Sequence, residues 1–501
     1  MSVTKFKSEI PKEVKDISLT LSHAGFENYL VGGCVRDLVR KTIYGELVEP
    51  KDWDFATNAK PEEIIKLFPK TFYENEFGTV GVVNEETLDE TLRVVEVTPY
   101  RIESGYSDKR HPDKVEWGKS MEEDLARRDF TMNAIALSLQ LTADSYKLID
   151  PYGGQKDIEK KLIRTVGKPE ERFGEDALRM LRALRLASEL NFAIEHETQM
   201  AIEKNSDLLE NVSRERVRDE FVKIVMSETP AVALDLAARL GLLKFISPEL
   251  EKGIGVEQNK AHAYTVWEHL LRSLNHAAAK KMPLYVRLAA LLHDVAKPHT
   301  RVWKNNQWTF YGHEVVGARL ARNILTDLRF HKEIVEKTTK LVRWHMFFSD
   351  TEEISLSAVR RIVRNVTPEL IWDLINVRTA DRIGTGRPKE TPYRLRKYKS
   401  MIEEVLRDPI SVKQLKIGGQ DIMSLTETGP GPNVGFILEI LLSEVLEKPE
   451  LNTHEYLEGR VRELHALKPE ELAGLGKTAR GKNESEEEKE VGKIREDYKV
   501  K

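Results

Sequence analysis

The stretch YLVGGCVRDLVR at residues 29–40, followed by KDWDFAT at residues 51–57, decides the fold of the first part of the chain. The apolar run at 29–31 predicts a strand, and the glycine pair after it predicts a turn that leads into a helix. Residues 53–56 predict a second strand. Two features of this stretch, the turn and the aspartates around Trp53, indicate what chemistry the fold carries.

Asp52 and Asp54 are two residues apart, and Trp53 and Phe55 alternate with them. Residues two apart share one face of a strand, so both carboxylates would project to one side while the aromatic side chains turn to the core. Neighbouring carboxylates repel each other, and magnesium, which prefers oxygen ligands, is the usual counter-ion. Two such ions can activate an attacking hydroxyl and stabilise a pyrophosphate leaving group.

The glycine turn supplies the complementary half of such a site. Gly32 and Gly33 expose backbone N–H groups at the start of a helix, where phosphate oxygens are favoured, and Arg36 lies one turn further on. An isolated Asp-x-Asp or Gly-Gly is more often a solvated turn. The two together, in this order and spacing, favour a nucleotide site.

Further strands are predicted at 78–84 and 91–99, and an amphipathic helix at 13–25. These elements predict a small α/β sheet domain over about the first 140 residues. Glu96 is a third candidate carboxylate, because alternation places it with Thr98 on one strand face. A solvated strand face explains Glu96 equally well.

GGCVRD followed by KDWDFAT resembles the signature of class II tRNA nucleotidyltransferases and bacterial poly(A) polymerases, within the polymerase-β-like nucleotidyltransferase superfamily. The resemblance implies that Asp52 and Asp54 bind catalytic Mg²⁺ and that Gly33 and Arg36 contact the incoming nucleotide. It implies an α+β head with a small mixed sheet, followed by all-α neck, body, HD and tail regions. Residues 41–50 are longer than the connection usual in the family, which we interpret as a surface insertion.

Three later segments match successive motifs of the same family: DLARRDFTMNA at 124–134, DPYGGQKDIEKKLIRTV at 150–166 and GEDALRMLRALRLA at 174–187. The resemblance implies that Arg128 binds nucleotide, and that Asp129 and Asn133 hold the local fold. The polar segment between Tyr100 and Asp124 is predicted to be a flexible loop, which in the family matters for switching from C to A addition.

A predicted helix at 174–190 places Asp176, Arg179, Arg182 and Arg185 in one stripe. A carboxylate can accept a hydrogen bond from the exocyclic amine of cytosine or adenine, whereas uracil and guanine present a carbonyl there. The resemblance implies that Asp176 and Arg179 select the base while Arg182 and Arg185 bind the nucleotide. In isolation, the stripe would be interpreted as a solvated basic face.

Eight of the 13 histidines lie between His262 and His345. LLHDVAKP contains His293 and Asp294, and the surrounding pattern resembles the HD superfamily of metal-dependent phosphohydrolases. The resemblance implies a site for manganese, nickel, iron, zinc or cobalt. Its ligands are identified by the family pattern: His269, His293, Asp294 and Asp381.

Parts of this second site stay open at the level of sequence. His262, His269 and His276 are seven residues apart and share a helical stripe, and His269 is preferred for its match to the family helix. His313 and His345 could bind a second metal or the substrate phosphate. The alternative is a degenerate HD fold kept for structure or RNA docking.

Composition limits the remaining possibilities. The net charge is −4, so any nucleic-acid surface must be locally basic. Cys34 is the single cysteine, which excludes an intrachain disulfide and predicts a cytoplasmic setting, and no apolar run predicts a membrane span. The predicted domains are 1–145 (nucleotidyltransferase head), 146–255 (helical neck and body), 256–390 (HD), 391–473 (helical tail) and 474–501 (charged and disordered).

The sequence therefore predicts a template-independent enzyme that adds CCA to the 3′ end of tRNA from CTP and ATP, with an HD phosphohydrolase in the same chain. Within the same class, an A-adding enzyme or a poly(A) polymerase is the alternative. From other classes, the chain could be chiefly an HD phosphohydrolase or a non-catalytic RNA-binding protein. The intact Asp52 and Asp54 pair argues against the last.

Overall fold

The computed structural model describes residues 6, 8–73, 78–104, 114–118, 120–140, 145–259, 263–347, 354–407 and 412–479. The chain divides into two compact units. Unit 1 comprises Met1–Glu251 with Asp327–Arg329, and unit 2 comprises Lys252–Thr326 with Phe330–Lys501. No helix in the described residues has the length and apolar character needed to cross a membrane.

Unit 1 begins with a seven-stranded mixed sheet of order β3-β4-β5-β2-β1-β8-β9. Its strands are β1 Asn28–Val31, β2 Asp54–Thr57, β3 Thr71–Tyr73, β4 Val80–Val83, β5 Val94–Pro99, β8 Ala136–Gln140 and β9 Ser145–Ile149. β2 and β5 run parallel, and the other neighbours in this sheet are antiparallel. The α+β head predicted from the sequence is confirmed, although β3, β8 and β9 were not predicted.

Helices pack on this sheet through apolar stripes. They are α1 Lys12–His23, α2 Gly33–Thr42, α3 Pro61–Leu67, α4 Met121–Ala126 and α5 Gly154–Glu159. In α1, Val14, Ile17 and Leu21 are buried at helical spacing. The segment predicted to be a loop from Tyr100 to Asp124 instead contains the antiparallel strands β6 Arg101–Ser104 and β7 Lys114–Trp117, followed by α4. Residues 105–113 and 119 of that segment lie outside the described residues.

The rest of unit 1 is mostly helical, with one parallel pair of two-residue strands that corrects the prediction of an all-α neck and body. Its elements are β10 Leu162–Ile163, α6 Pro169–Glu175, α7 Leu178–Leu190, β11 Ala193–Ile194, α8 His196–Asn205, α9 Arg214–Met226, α10 Pro230–Arg239, α11 Leu243–Ile246 and α12 Pro248–Glu251. The single helix predicted at 174–190 is wrong at its start, because the chain leaves helical geometry at Asp176 (φ −143°, ψ 104°). Leu181 and Leu184 of α7 are fully buried in the core of this unit.

Unit 2 is built of helices with one short hairpin. The elements are α13 Val266–Ala279, α14 Leu284–Leu292, α15 Lys297–Thr300, β12 Val302–Lys304, β13 Gln307–Thr309, α16 His313–Asp327, α17 Lys332–Trp344, α18 Leu356–Val366, α19 Ile371–Gly384, α20 Tyr393–Val405, α21 Gly419–Thr426, α22 Pro432–Glu447 and α23 His454–His465. The β12–β13 hairpin corrects the prediction that this region is entirely helical. Residues 474–479 are helical rather than disordered, and 480–501 lie outside the described residues.

Candidate active sites

The parallel pairing of β2 with β5 builds the first site, because it places Asp54 and Glu96 opposite each other in register. Both side chains are half-buried, whereas the alternating Phe55 and Val97 are fully buried. Asp54 and Glu96 therefore share the face that points away from the core. Asp52 lies before the strand, not within it, and is exposed. The structure thus brings Glu96 to the aspartates, although sequence alone left its role open.

The glycine turn closes against this carboxylate face. Gly32 has a φ of +79°, a conformation that side chains other than glycine rarely adopt. A Cβ atom at Gly32 would lie 3.4 Å from Oδ2 of Asp54 and 3.2 Å from Nη1 of Arg128. Arg128 is held by Asp124, whose Oδ2 accepts hydrogen bonds from its Nε at 3.2 Å and Nη2 at 2.9 Å. Gly32 is required both for the turn and for this close approach.

The charge of Asp54 is poorly compensated within the protein. Burial raises the pKa of Asp54 to about 6, with Arg128 opposing the rise and Asp52 adding to it. A divalent cation beside the two aspartates would stabilise the ionised form. The oxygen donors present are those that Mg²⁺ prefers, so the residues fit such an ion.

Arg36 lies in the first turn of α2, beside the N-terminus that begins at Gly33. Its Nη1 donates to Oδ1 of Asn133 at 3.0 Å, and its Nη2 to Oδ2 of Asp37 at 2.9 Å. The side chain is therefore oriented by two partners. A fixed guanidinium beside a helix N-terminus can bind phosphate oxygens.

Asp176 and Arg179, the predicted base-selecting residues, have different side-chain partners. Arg179 donates to Oε2 of Glu175 at 2.7 Å, whereas Oδ2 of Asp176 accepts from Nη2 of Arg216 in α9 at 2.7 Å. Asp176 also accepts from the backbone N–H of Leu178 through Oδ1, at 3.1 Å, as the chain enters α7. Its carboxylate is thus oriented by Arg216, a residue that the sequence analysis missed.

Arg216 also has a side-chain nitrogen whose hydrogen-bonding capacity is unused. Among the described residues its Nη1 is buried and has no hydrogen-bond partner. A buried, unpaired guanidinium nitrogen is costly, so a ligand acceptor would stabilise it.

The other two arginines of α7 have carboxylate partners. Arg182 donates through Nε to Oδ2 of Asp129 at 2.9 Å, and Nε of Arg185 lies 3.3 Å from Oε2 of Glu220. Burial alone would raise the pKa of Asp129, but Arg182 outweighs it and the pKa falls to about 2. Both arginines are positioned by ion pairs, and the Arg182 side chain stays 36% exposed.

The second site lies in unit 2, where four predicted ligands converge from three helices. Nε2 of His269 lies 2.9 Å from Nε2 of His293, 3.2 Å from Oδ2 of Asp294 and 3.4 Å from Oδ1 of Asp381. All four side chains are buried. Of the alternatives for the first ligand, His276 lies outside this group of atoms, and His262 lies outside the described residues.

These four groups fit a metal ion. Nδ1 of His293 donates to the backbone oxygen of Ala290 at 2.9 Å, so Nε2 is the atom that faces the carboxylates of Asp294 and Asp381. Positive charge at that point, carried by a proton on Nε2 or by a metal ion that takes the place of the proton, offsets the two carboxylates. Burial opposes protonation of His293, but Asp294 and Asp381 outweigh it and raise its pKa to about 10. The site thus attracts positive charge.

Two cations already flank the carboxylates. Nζ of Lys297 lies 2.6 Å from Oδ2 of Asp294, and Nη1 of Arg378 lies 2.6 Å from Oδ2 of Asp381. Burial would raise the pKa of each aspartate, but these cations and the histidines hold it well below its usual range. Both carboxylates are therefore ionised and available as ligands at neutral pH.

A cleft of about 590 Å³ opens beside this cluster. Asp294, Asp381 and His313 contribute to its wall. The basic residues that line it are Lys297, Arg378, Arg382, Arg387 and Arg394, and the aromatic residues are Trp308, Phe310 and Tyr311. The β12–β13 hairpin supplies Trp308, a group that the sequence analysis did not single out. Cationic and aromatic side chains around a metal site suit a phosphorylated ligand that carries a flat ring.

Three family models match the chain. They are the Poly A polymerase head domain over residues 28–164, the probable RNA and SrmB-binding site of polymerase A over residues 191–254, and the HD domain over residues 262–383. The chain is 31% identical over 461 residues to the CCA-adding enzyme of Lactiplantibacillus plantarum, an alignment that covers 91% of this chain and 97% of the relative.

The CCA-adding enzyme of Geobacillus thermodenitrificans is 41% identical over 285 residues, which cover 57% of this chain and 64% of the relative. Alignments with two more of the curated relatives span 52% and 54% of their lengths. The crystal structure of the Bacillus stearothermophilus CCA-adding enzyme in complex with CTP matches with a TM-score of 0.67 and 27% identity, covering 91% of this chain and 98% of that one.

Proposed function

Because the chain belongs to the family of CCA-adding enzymes, we propose that it adds C and A residues from CTP and ATP to the 3′ end of tRNA without a nucleic-acid template. The observation that carries the proposal is the in-register placement of Asp54 beside Glu96, closed by the glycine turn and Arg128. This arrangement can hold a magnesium triphosphate against one face of the sheet. We assign nucleotide addition to residues 1–145 with 146–255, phosphoester hydrolysis to 256–390 and a supporting role to 391–473.

Different residues of this site would bind the metal and the triphosphate during phosphoryl transfer. Asp52, Asp54 and Glu96 would hold Mg²⁺, which when bound lowers the pKa of an attacking hydroxyl and offsets charge on the leaving group. Gly32 and Gly33 let the triphosphate approach the backbone of α2. Catalysis then consists of positioning the 3′ hydroxyl and the α-phosphate in line, with charge stabilisation from nearby guanidinium groups.

Arg36, Arg128, Arg182 and Arg185 supply those guanidinium groups. Base choice rests on Asp176, whose carboxylate would accept the amine of cytosine or adenine, together with Arg179 as a donor to the neighbouring ring acceptor. Uracil and guanine would leave this carboxylate facing a carbonyl oxygen, at a cost of about 1–3 kcal/mol for the unmade bond.

The test uses a tRNA transcript that lacks its 3′ CCA, incubated with Mg²⁺ and with CTP, ATP or both, and resolved on a sequencing gel. Transcripts ending in C and in CC run alongside. We expect growth by three residues, with A added only after CC. Absence of any extension would contradict the proposal.

Two other results would identify the alternatives within the class. Addition of A to the CC transcript, without addition of C to the bare one, would indicate an A-adding enzyme. Long A tails on unrelated RNA would indicate a poly(A) polymerase.

We propose as a second function that the HD cluster hydrolyses phosphate monoesters or cyclic diesters of nucleotides. The convergence of His269, His293, Asp294 and Asp381 supports a resident metal ion, with manganese, nickel, iron, zinc or cobalt suited to these ligands. The basic and aromatic lining of the adjacent cleft favours a nucleotide over a simple phosphate ester.

This second function is tested with the full chain, Mn²⁺ or Ni²⁺, and a 2′,3′-cyclic nucleotide as substrate. We expect hydrolysis that persists in an Asp52→Ala variant and is lost in a His269→Gln variant. Hydrolysis that survives His269→Gln would come from a contaminant or another site. No hydrolysis with either metal would favour a degenerate HD fold.

A further inference from the structure

Residues 41–50, the connection that is longer than usual in the family, are tied to the rest of unit 1. Arg40, in the last turn of α2, donates through Nε to Oε2 of Glu46 at 2.9 Å, and its Nη2 lies 2.7 Å from the same oxygen. The hydroxyl of Tyr44 donates to the backbone oxygen of Gln155 in α5 at 3.0 Å. The carboxylate of Glu46 is therefore held beside the end of α2.

Arg40 connects Glu46 to Asp37, which lies one turn earlier in α2. Nη1 of Arg40 donates to Oδ1 of Asp37 at 3.0 Å. Arg36 uses both oxygens of the same carboxylate, because its Nε donates to Oδ1 at 3.0 Å and its Nη2 to Oδ2 at 2.9 Å. The exposed fractions of the four side chains lie between 12% and 26%. Glu46, Arg40, Asp37 and Arg36 thus form a continuous, partly buried chain of alternating charge.

This chain of charges ends at the glycine turn. A Cβ atom at Gly33 would lie 3.7 Å from Nη2 of Arg36 and 4.0 Å from its Nη1, so the guanidinium lies beside the N-terminus of α2. Bonds to Asp37 and Asn133 use the Nε–H of Arg36 and one N–H of each terminal nitrogen. A second N–H on Nη1 and on Nη2 can donate to phosphate oxygens.

Glu46 controls how the two arginines share the carboxylate of Asp37. While Glu46 accepts from Nε and Nη2 of Arg40, the Nη1 of Arg40 is the atom that contacts Asp37, and both oxygens of Asp37 also bind Arg36. Without Glu46, the partly buried guanidinium of Arg40 would turn to Asp37, its other carboxylate partner. Two guanidinium groups would then compete for one carboxylate, and Arg36 would lose part of the interaction that orients it.

We propose that Glu46 is a positioning residue for nucleotide addition, which acts through Arg40 and Asp37 to hold Arg36 in the orientation that binds the triphosphate of the incoming nucleotide. This proposal rests on the nucleotidyltransferase function proposed above and deepens it. It gives the 41–50 connection a role in the site. Because CTP and ATP share the triphosphate, Glu46 should support the binding of both equally and leave base choice unchanged.

The experiment measures single-turnover incorporation by the full chain on a tRNA primer, which gives the apparent Kd of the nucleotide and the maximal rate separately. CTP is tested on a primer that lacks CCA, and ATP on a primer that ends in CC. We expect Glu46→Ala to raise the apparent Kd of both nucleotides by the same factor, about five- to tenfold, with a smaller change in the maximal rate.

The matched control is Glu49→Ala, in the same connection. Glu49 accepts from Nζ of Lys41, whose other carboxylate partner is Glu9, so this pair lies outside the chain of charges that leads to Arg36. The apparent Kd of both nucleotides should be unchanged in this variant. Equal values for Glu46→Ala and Glu49→Ala would overturn the proposal.

Coupling to Arg36 separates positioning from a general effect on the fold. Arg36→Ala alone should raise the apparent Kd roughly 10- to 100-fold, and Glu46→Ala added to it should have no further effect, because the group that Glu46 positions is gone. Independent, additive effects of the two substitutions would overturn the proposal.

Arg40→Lys provides a second variant if Glu46→Ala fails to fold. A lysine cannot contact Asp37 and Glu46 in the way that the guanidinium does, so the same rise in the apparent Kd and the same dependence on Arg36 are expected. An unchanged apparent Kd in Arg40→Lys would count against the proposal. No incorporation by the unaltered chain would instead overturn the nucleotidyltransferase function, and this proposal with it.

Discussion

The two candidate sites hold their charged groups by opposite means. In unit 1, Asp54 is half-buried on a strand face and Asp52 is exposed just before that strand. In unit 2, His269, His293 and Asp294 are completely buried or nearly so, and a backbone carbonyl fixes the imidazole of His293. An open site suits a metal that arrives with each nucleotide, and a closed one suits a metal that stays bound. The two sites should therefore fail independently when either is disrupted.

The largest effect is expected from Asp54→Asn, which keeps the shape of the side chain and removes its charge. Loss of a metal ligand worth several kcal/mol predicts a fall in kcat for CTP incorporation on the order of 10⁴-fold. Hydrolysis of a 2′,3′-cyclic nucleotide should be unchanged in the same preparation. Glu86→Gln, at an exposed carboxylate of the same unit, is the control. If both activities fell together, the separation of the two sites would be wrong.

The reciprocal change is His293→Gln. We expect loss of cyclic-nucleotide hydrolysis on the order of 10²- to 10³-fold, because the first metal loses an imidazole ligand, with CTP incorporation unchanged. Both activities are measured on one preparation, with His331→Gln as the matched control. A variant that hydrolyses normally would show that the cluster is structural.

Local sequence patterns predicted more of the first site than of the second, because they connect only residues that are close in the chain. Asp52 and Asp54 are two residues apart, so the sequence alone keeps them close, although the prediction that both lie on one strand face was wrong because Asp52 precedes β2. Glu96 depends on the pairing of β2 with β5, which no local pattern specifies, and so the structure was needed to bring it to the aspartates. The HD ligands are spread from His269 to Asp381, and only the resemblance to a known family connected them.

Side-chain partners were the least predictable feature. Helical spacing put Asp176 in one stripe with Arg179, but the chain leaves helical geometry at Asp176, and its carboxylate accepts a hydrogen bond from Arg216 of α9. Helix periodicity describes one helix at a time, whereas this ion pair joins two. The hairpin that carries Trp308 was missed because its strands have three residues each, too few to show a period.

Arg216 is expected to affect nucleotide selection at the site of unit 1. Arg216→Ala removes the charge-assisted hydrogen bond that orients Asp176, a bond worth about 1.5–3 kcal/mol. We expect kcat/KM for CTP to fall roughly 10- to 100-fold while UTP changes little, so that discrimination between them is reduced. Arg216→Lys should restore only part of the discrimination between CTP and UTP, because a lysine lacks the planar, bidentate guanidinium group.

Steady-state incorporation of CTP and of UTP on the same tRNA primer gives the ratio of their kcat/KM values. Arg239→Ala, at an exposed arginine paired with exposed Asp235, is the control. A proportional loss with CTP and UTP would mean that Arg216 only supports the fold.

The smallest expected effect is the pH dependence of Mg²⁺ binding at Asp54. Because the pKa of Asp54 is raised to about 6, a proton competes with Mg²⁺ there below pH 6, whereas an ordinary aspartate would be ionised throughout this range. From pH 7 to pH 5 the ionised fraction of Asp54 falls about tenfold, so the Kd for Mg²⁺ should rise about tenfold. Titration calorimetry measures this Kd, in a His293→Gln background that weakens metal binding at the HD site. A Kd that does not change over this range would show that Asp54 has an ordinary pKa and that the open face solvates its charge.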